Sequence, residues 1–415
     1  MIAAAAQARL PSILRWTAIL VPLAAVVGTA SAFFLWALDA VTRLRFANPW
    51  LLFLLPVGGL LVGMIYQRVG KSAAGGNNLL IDEIHQPGAG VPRRMAPLIL
   101  FGTLVTHLFG GSAGREGTAV QMGGSIAAAF ARMLALDAAS VRIVLMAGVA
   151  AGFGSIFGTP VAGAVFALEV LVVGRVQYDA LIPCFFASLL ADWTCRFWGI
   201  GHTHYQIELL PPGALPDPWL MGKVMLASAA FGLAALLFST LSHRLADAFK
   251  TYVPRPELRP VVGGILVIAL FFLAGTSDYL GLGVLAEHPD SITLPALFTS
   301  TGIPASAWAW KLLFTVITLS AGFKGGEVTP LFFIGAALGN ALGTVLGAPV
   351  DLFAGIGFVA IFAGATNTPL ASIFLGMELF GAENGLYIAT ACIIAYACSG
   401  SKGIYSAQRL PSSHN

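Results

Sequence analysis

Two acidic residues stand where acids are expensive. Glu116 sits in Gly110-Gly111-Ser112-Ala113-Gly114-Arg115-Glu116-Gly117-Thr118, and Glu327 in Gly325-Gly326-Glu327-Val328-Thr329-Pro330. Each follows glycines and opens an apolar run, in a chain otherwise built for lipid. A carboxylate at membrane depth marks a functional site by default. A glycine-rich turn entering a helix leaves backbone N–H groups unpaired at the positive end of the helix dipole, which is an arrangement for binding an anion. A third such turn is Gly75-Gly76-Asn77-Asn78-Leu79. If the three converge, they form an uncharged cradle that holds a small anion without a buried lysine, weakly enough to release it. A phosphate loop needs G-x-x-x-x-G-K-[ST], which is absent from the chain.

The elements that must position these residues are membrane helices. Of 415 residues, 57% are hydrophobic and 10% charged, against about 25% charged in soluble domains. The mean hydropathy is +0.85. Several apolar segments fall short of the roughly 20 residues a spanning helix requires. With 48 Gly and 23 Pro, broken or re-entrant helices are expected, lined by protein or water at each break. Cys184, Cys195, Cys392 and Cys398 lack CxxC spacing and read as small core hydrophobes. The apolar stretch after Arg9 and Arg15 has signal-peptide features around Ala30-Ser31-Ala32, but it continues to Leu38 and reads as a retained first helix. Basic residues at both ends favour both termini inside.

The chain also repeats itself. Segments 143–168 and 352–377 are charge-free. Thr159-Pro160-Val161-Ala162 in the first matches Thr368-Pro369-Leu370-Ala371 in the second, 209 residues on, and Glu169 and Glu378 close the two runs in register. Upstream, Glu116-Gly117-Thr118 with Gly124 matches Glu327-Val328-Thr329 with Gly335 at an offset of 211, which makes Glu327 the counterpart of Glu116. Such symmetry marks transporters whose site lies between two halves near the midplane. The expectation is one transmembrane domain over 1–415, with inverted repeats at about 15–205 and 215–405 and no soluble C-terminal regulatory domain.

These motifs together resemble those of the CLC anion channels and transporters. The G-R-E-G-[PT] motif with its V-Q-x-G helix is Gly114–Thr118 and Val120–Gly123; the G-x-x-x-P turn is Gly326–Pro330; the tyrosine after the last helix is Tyr405. The resemblance runs in order over nearly the whole chain. Departures point to one branch. The G-S-G-I-P motif becomes Gly76-Asn77-Asn78-Leu79-Leu80, the second motif ends in Thr118, and the third carries Glu327 and Thr329. The second proton-handling glutamate of chloride/proton antiporters is replaced by Val170. These features resemble the bacterial fluoride/proton-antiporter branch. Fluoride is smaller and more strongly hydrated than chloride, so stripping its water demands strong donors, and an asparagine amide brings more of them than a serine hydroxyl.

The resemblance implies an all-α integral membrane protein of the CLC architecture, with two inverted halves and broken helices. It implies a homodimer in the bacterial inner membrane that exports fluoride against protons. Glu116 would be the external gate, Glu327 would replace the proton group missing at Val170, and Asn77, Thr329, Tyr405 and the backbone N–H groups of Gly117 and Val328 would face the anion. The partners expected are fluoride or chloride, protons, lipid and a second copy, with no cofactor, metal, nucleic acid or enzymatic activity. The alternative within the family is a chloride channel or chloride/proton antiporter; more distant rivals are an intramembrane acid/base enzyme using Glu116 and Glu327, or a non-transporting scaffold. Among the remaining groups, Arg115 is a poor partner for Glu116 because neighbours on a helix point apart. Glu169 and Glu378 are expected to reach water or to cap. His107 reads as a core histidine, and His202-x-His204 lacks further ligands at metal spacing. Lys324 either draws anions inward or ends a helix in solvent.

Overall fold

The computed structural model describes residues 2–88, 90–208, 217–299 and 302–411, with side chains from Leu14 onward. The side chain of Arg9 and the expected start of the second half at 215 lie outside the described residues. Among those described there are sixteen α-helices, with no named strand. Eight form a first series: α1 (Ile2–Ala47), α2 (Leu55–Val69), α3 (Gly76–His85), α4 (Met95–Leu108), α5 (Glu116–Met133), α6 (Ala138–Phe157), α7 (Pro160–Glu169) and α8 (Leu181–Phe197). Eight repeat it: α9 (Pro218–Tyr252), α10 (Arg259–Ala274), α11 (Ala296–Thr299), α12 (Ala307–Ser320), α13 (Val328–Leu346), α14 (Val350–Thr366), α15 (Pro369–Phe380) and α16 (Gly385–Ser399). Neighbours recur as well: α5 packs on α6 as α13 packs on α14, and α8 on α1 as α16 on α9.

The charge-free runs are not single spans. Each breaks in the middle, between α6 and α7 and between α14 and α15, at Thr-Pro. Proline's ring disfavours a helical residue before it, and its missing N–H is tolerated in a helix's first turn. Thr159 and Thr368 accordingly leave the helical region with nearly the same backbone (φ −126°, ψ 75° and φ −126°, ψ 66°). The residue before each is left-handed, Gly158 at φ 72° and Asn367 at φ 56°, two residue types that accept that conformation.

The halves are inverted with respect to each other. Glu169, the last residue of α7, accepts the N–H groups of Leu370 and Ala371 at the start of α15 (3.1 and 2.8 Å). Glu378, near the end of α15, accepts those of Val161 and Ala162 at the start of α7 (3.0 and 2.7 Å). The C-terminal end of each short helix therefore meets the N-terminus of the other, and the two run antiparallel. Glu169 is buried and Glu378 half-buried, and each caps its counterpart's helix.

The register of the repeat differs from the sequence match by one residue at the motifs. Gly114 and Gly326 exchange both backbone hydrogen bonds (2.6 and 2.8 Å), an offset of 212. Gly123 then corresponds to Gly335, and both are pressed against the facing helix, by the backbone of Gly148 and of Gly357. The offset falls to 209 by Gly148 and Gly357 because α6 has 20 residues and α14 has 17. On this register Glu116 corresponds to Val328, and Glu327 to Arg115. Glu116 opens its helix, whereas Glu327 is the residue before one.

Helices sort by their surroundings. The apolar stretch of α6 is 83% buried and that of α10 only 22%, so α6 is a central helix and α10 faces lipid, with Ile265, Leu266, Phe272 and Leu273 exposed. Between the halves an aromatic cluster joins Phe153 of α6 and Phe166 of α7 (centroids 4.6 Å apart) to Phe362 of α14 and Phe332 of α13. This chain is a multi-pass membrane protein. Seven of its described helical stretches are long and apolar enough to cross a membrane, and shorter apolar helices end inside the protein.

Candidate functional site

The three glycine-rich turns converge. Gly117, in the first turn of α5, leaves no room for a side chain: a Cβ there would lie 3.0 Å from Cα of Gly326, 3.2 Å from Nδ2 of Asn77 and 3.5 Å from Oε2 of Glu327. The N-termini of α3, α5 and α13 thus point at one small volume from both halves. Gly114 is equally confined, since a Cβ would lie 2.9 Å from Oε2 of Glu116, the Gly326 carbonyl and Cδ of Pro330.

Glu116 is fully buried. Its Oε2 accepts the N–H of Arg115 (3.1 Å) and that of Thr329 (3.0 Å). Its Oε1 accepts the Thr329 hydroxyl. A carboxylate thereby occupies the end of α13, where an anion would be held, and hydrogen bonds to a charged acceptor are worth about 1.5–3 kcal/mol each. Arg115 does approach Glu116, with Nε 3.4 Å from Oε1. The helix argument against this pairing fails because Arg115 precedes the helix at φ −114°.

Among the buried side-chain atoms of the described residues that make no hydrogen bond, Oδ1 of Asn77 and Oε2 of Glu327 stand beside Gly117. Groups in this state ask for a ligand or a proton. They border a polar cavity of about 160 Å³ that also touches Asn78, Gln121, Lys324 and Tyr405. A second space of about 20 Å³ lies between Asn77, Tyr405, Phe166 and Val170. On the opposite side of Glu116, Arg115 lines a cavity of about 300 Å³ with Asp39, Arg45, Asp278 and Glu287. Glu116 stands between these two cavities and is open to neither.

A scan of family models matches residues 58–400 to the voltage gated chloride channel family. The chain belongs to the CLC family. A chloride/fluoride channel protein of Pseudomonas syringae pv. tomato is 48% identical over 97% of this chain and 88% of the relative. Among solved structures, a CLC-type fluoride/proton antiporter shares 33% identity at a TM-score of 0.90, covering 96% of this chain and 98% of that one. A slow cyanobacterial chloride/proton antiporter is similar at 20% identity and a TM-score of 0.79, over 94% and 96% of the two chains, a likeness of fold alone.

Within this CLC frame each sequence-nominated residue has a place. Asn77, Glu116, Gly117, Glu327, Val328 and Thr329 meet at the three helix ends. Of the asparagine pair, Asn78 receives the Ala407 N–H on its Oδ1 (3.0 Å) and docks the C-terminal segment, whereas Nδ2 of Asn77 lies at Gly117. That docking positions Tyr405, which is 6% exposed and stands edge-on to Phe166 at 6.4 Å. Val170 is apolar, and its carbonyl accepts Gln408 Nε2 (2.9 Å). His107 is buried with Nδ1 and Nε2 facing the Thr103 and Ala113 carbonyls (2.8 and 3.0 Å). His202 lies against Asp192, with Nε2 3.4 Å from Oδ1. Two residues carry more than the sequence suggested. Gln121 packs at Gly76 and lines the polar cavity; it stood in the V-Q-x-G motif without an assigned role. Gln408 bridges Val170, Thr366 and Asn367; nothing local in the sequence marks it.

Proposed function

We propose that this CLC protein exports fluoride in exchange for protons across the bacterial inner membrane. The observation that carries this reading is the carboxylate of Glu116 lodged on the backbone and hydroxyl of Thr329, with the Nδ2 donor of Asn77 and the Glu327 carboxylate beside Gly117. Fluoride is small and strongly hydrated, so it requires several firm donors at once. The Thr329 hydroxyl, the N–H groups of Gly117, Val328 and Thr329, and the Asn77 amide offer them, and the Pseudomonas syringae relative and the antiporter of similar structure bear names that include fluoride. We also read residues 1–415 as one transmembrane domain with halves at about 15–205 and 215–405, acting as a homodimer with a pathway in each subunit.

In the proposed cycle, protonation of Glu116 cancels the charge that holds it on Thr329, and the side chain leaves. An anion entering past Asn77 and Tyr405 takes the vacated N–H and hydroxyl donors. Glu116 gives up its proton to the side opposite the one that supplied it and returns as a carboxylate after the anion departs, so proton and anion move in opposite directions. Glu327 borders both the entry cavity and Gly117, so it engages the ion or the gate in one of these states. Val170 leaves no acid at the second proton position, and Glu327 takes its place.

The test is fluoride release from liposomes holding the purified protein, read with a fluoride electrode, with chloride and an imposed pH gradient as controls. Fluoride should move and drive protons the other way, while Glu116→Ala should carry fluoride without proton movement. Coupling retained in Glu116→Ala sinks the proposal. Chloride dissipating its gradient as well as fluoride selects the chloride channel or chloride/proton antiporter reading.

A further inference from the structure

One charged group at the site has no role in the cycle above. Lys324 lies in the turn between α12 and α13, three residues before Glu327, and lines the polar cavity beside Asn77 and Tyr405. The fold makes room for it. A Cβ on Gly102 of α4 would come within 2.7 Å of Cγ and 2.8 Å of Cβ of Lys324, so a glycine there clears the channel for the lysine stem. Its ammonium stands over the ring of Tyr66, with Nζ 4.1 Å from the centroid. Among the described residues it makes no hydrogen bond and no ion pair.

The other lysine in this interior is held differently. Lys311 is fully buried and donates to the carbonyls of Tyr279 and Gly281 (3.1 and 2.9 Å), so two of its three donors are used. At Lys324 a ring face stabilises the cation without neutralising it, and all three N–H donors stay available. A cation with no paired acid projects its field into the space beside it. Narrow walls of low dielectric focus that field and concentrate counter-ions. The acid that faces the same cavity is Glu327, whose Oε2 is itself unpartnered, and the neutral partners opposite are Gln121 and Asn78.

We propose that Lys324, with the Gln121 amide, forms a recruitment site for a small monovalent anion in this cavity, one step before the cradle at Asn77, Gly117 and Thr329. The anion arrives hydrated, exchanges part of its shell for the ammonium and amide donors, and passes to the cradle. Lys324 thereby sets the concentration range over which transport saturates, while the cradle sets the turnover and the coupling. The inference rests on the transport reading given above.

Three variants test it in the full-length protein: Lys324→Met, Lys324→Arg and Lys324→Cys, the last modified with an aminoethyl or a sulfonatoethyl thiosulfonate. Initial fluoride efflux is followed against fluoride concentration at low and high ionic strength. Lys324→Met should raise the half-saturating fluoride concentration about tenfold at low salt, with the maximal rate and the proton coupling little changed. High salt should shrink that difference through screening. Lys324→Arg and the aminoethyl adduct should restore saturation, and the sulfonatoethyl adduct should not. Equal half-saturation in Lys324→Met and the parent, or a defect that neither restored charge repairs, overturns the inference. Fluoride binding by fluorine NMR on the same purified proteins separates the two readings. A parent that binds fluoride but moves none defeats the transport reading alone, whereas equal affinity in parent and Lys324→Met defeats the role of Lys324.

Discussion

A carboxylate that imitates the anion is the central device at the scale of single residues. Thr329 holds Glu116 through both its N–H and its hydroxyl, and only the hydroxyl can be removed by substitution. Thr329→Val should therefore shift the gate toward the released state by about 1.5–3 kcal/mol, the worth of one bond to a charged acceptor, or roughly ten- to 150-fold. A faster fluoride leak with fewer protons moved per ion, repaired by Thr329→Ser, is the expected signature in liposome flux; unchanged coupling in the valine variant removes the hydroxyl from the gate. Acidifying the side that faces the Arg115 cavity should speed fluoride release in the parent, because protonation frees Glu116. Glu116→Ala should lose that pH dependence, as read by the same electrode across a series of external pH values. How much of this was legible follows from what each residue does alone. Glu116, Glu327 and Asn77 stand out because charged or amide groups beside glycine in apolar sequence are conspicuous. The Arg115 contact was not, because it depends on where the helix begins. Nor was the pairing of Glu116 with Val328, because a three-residue difference between α6 and α14 blurred the register.

At the scale of elements, the half-length helices are held by caps from the opposite half. Glu169 and Glu378 each satisfy two N–H groups at a helix start inside the protein. Glu169→Ala strands the Leu370 and Ala371 donors, at about 1–3 kcal/mol for each unsatisfied group. A lower melting temperature in detergent should follow, with Glu169→Gln milder because one acceptor oxygen remains; an unshifted melt would show that water serves the helix end equally well. Close helix packing is the other support. A Cβ on Gly335 would meet the Gly357 carbonyl and the Ile361 side chain, so Gly335→Ala should destabilise α13 against α14 by about 1–3 kcal/mol and lower the yield of folded protein on gel filtration. The Thr-Pro matches pointed to these elements. Their meaning as breaks came only with the backbone, since a charge-free run of that length also suits an unbroken span.

For the whole molecule, charge distribution sets orientation. Arg68, Lys71, Arg93, Arg94, Arg132 and Arg142 belong to the ends and connections on one face of the first half. In the inverted second half, Lys250, Arg255, Arg259, Lys402 and Arg409 fall on that same face, and Lys223 and Arg196 lie at opposite helix ends. Positive residues concentrate on the cytoplasmic side, so the proposed reading expects the Lys324 cavity to face the cytoplasm and the Arg115 cavity the outside. Single cysteines at positions 68 and 402 should resist impermeant thiol reagents in intact cells, and one at position 287 should react; the reverse pattern would invert the proposed direction of transport.

The sequence by itself determined the class of the protein: a lipid-soluble helical chain, internally repeated, with two acids and three glycine turns at positions that resemble those of the CLC family. These are properties of residue type, order and spacing, which survive without coordinates. Only the tertiary structure decided which groups share a volume. Gly117, Asn77, Glu327 and Thr329 gather at the starts of three helices from two halves, and their meeting depends on inversion, on the breaks at Thr159 and Thr368, and on the docking of residues 404–409 against Asn78 and Leu171. Distances between such elements arise from packing over the whole chain, so no local stretch of sequence contains them.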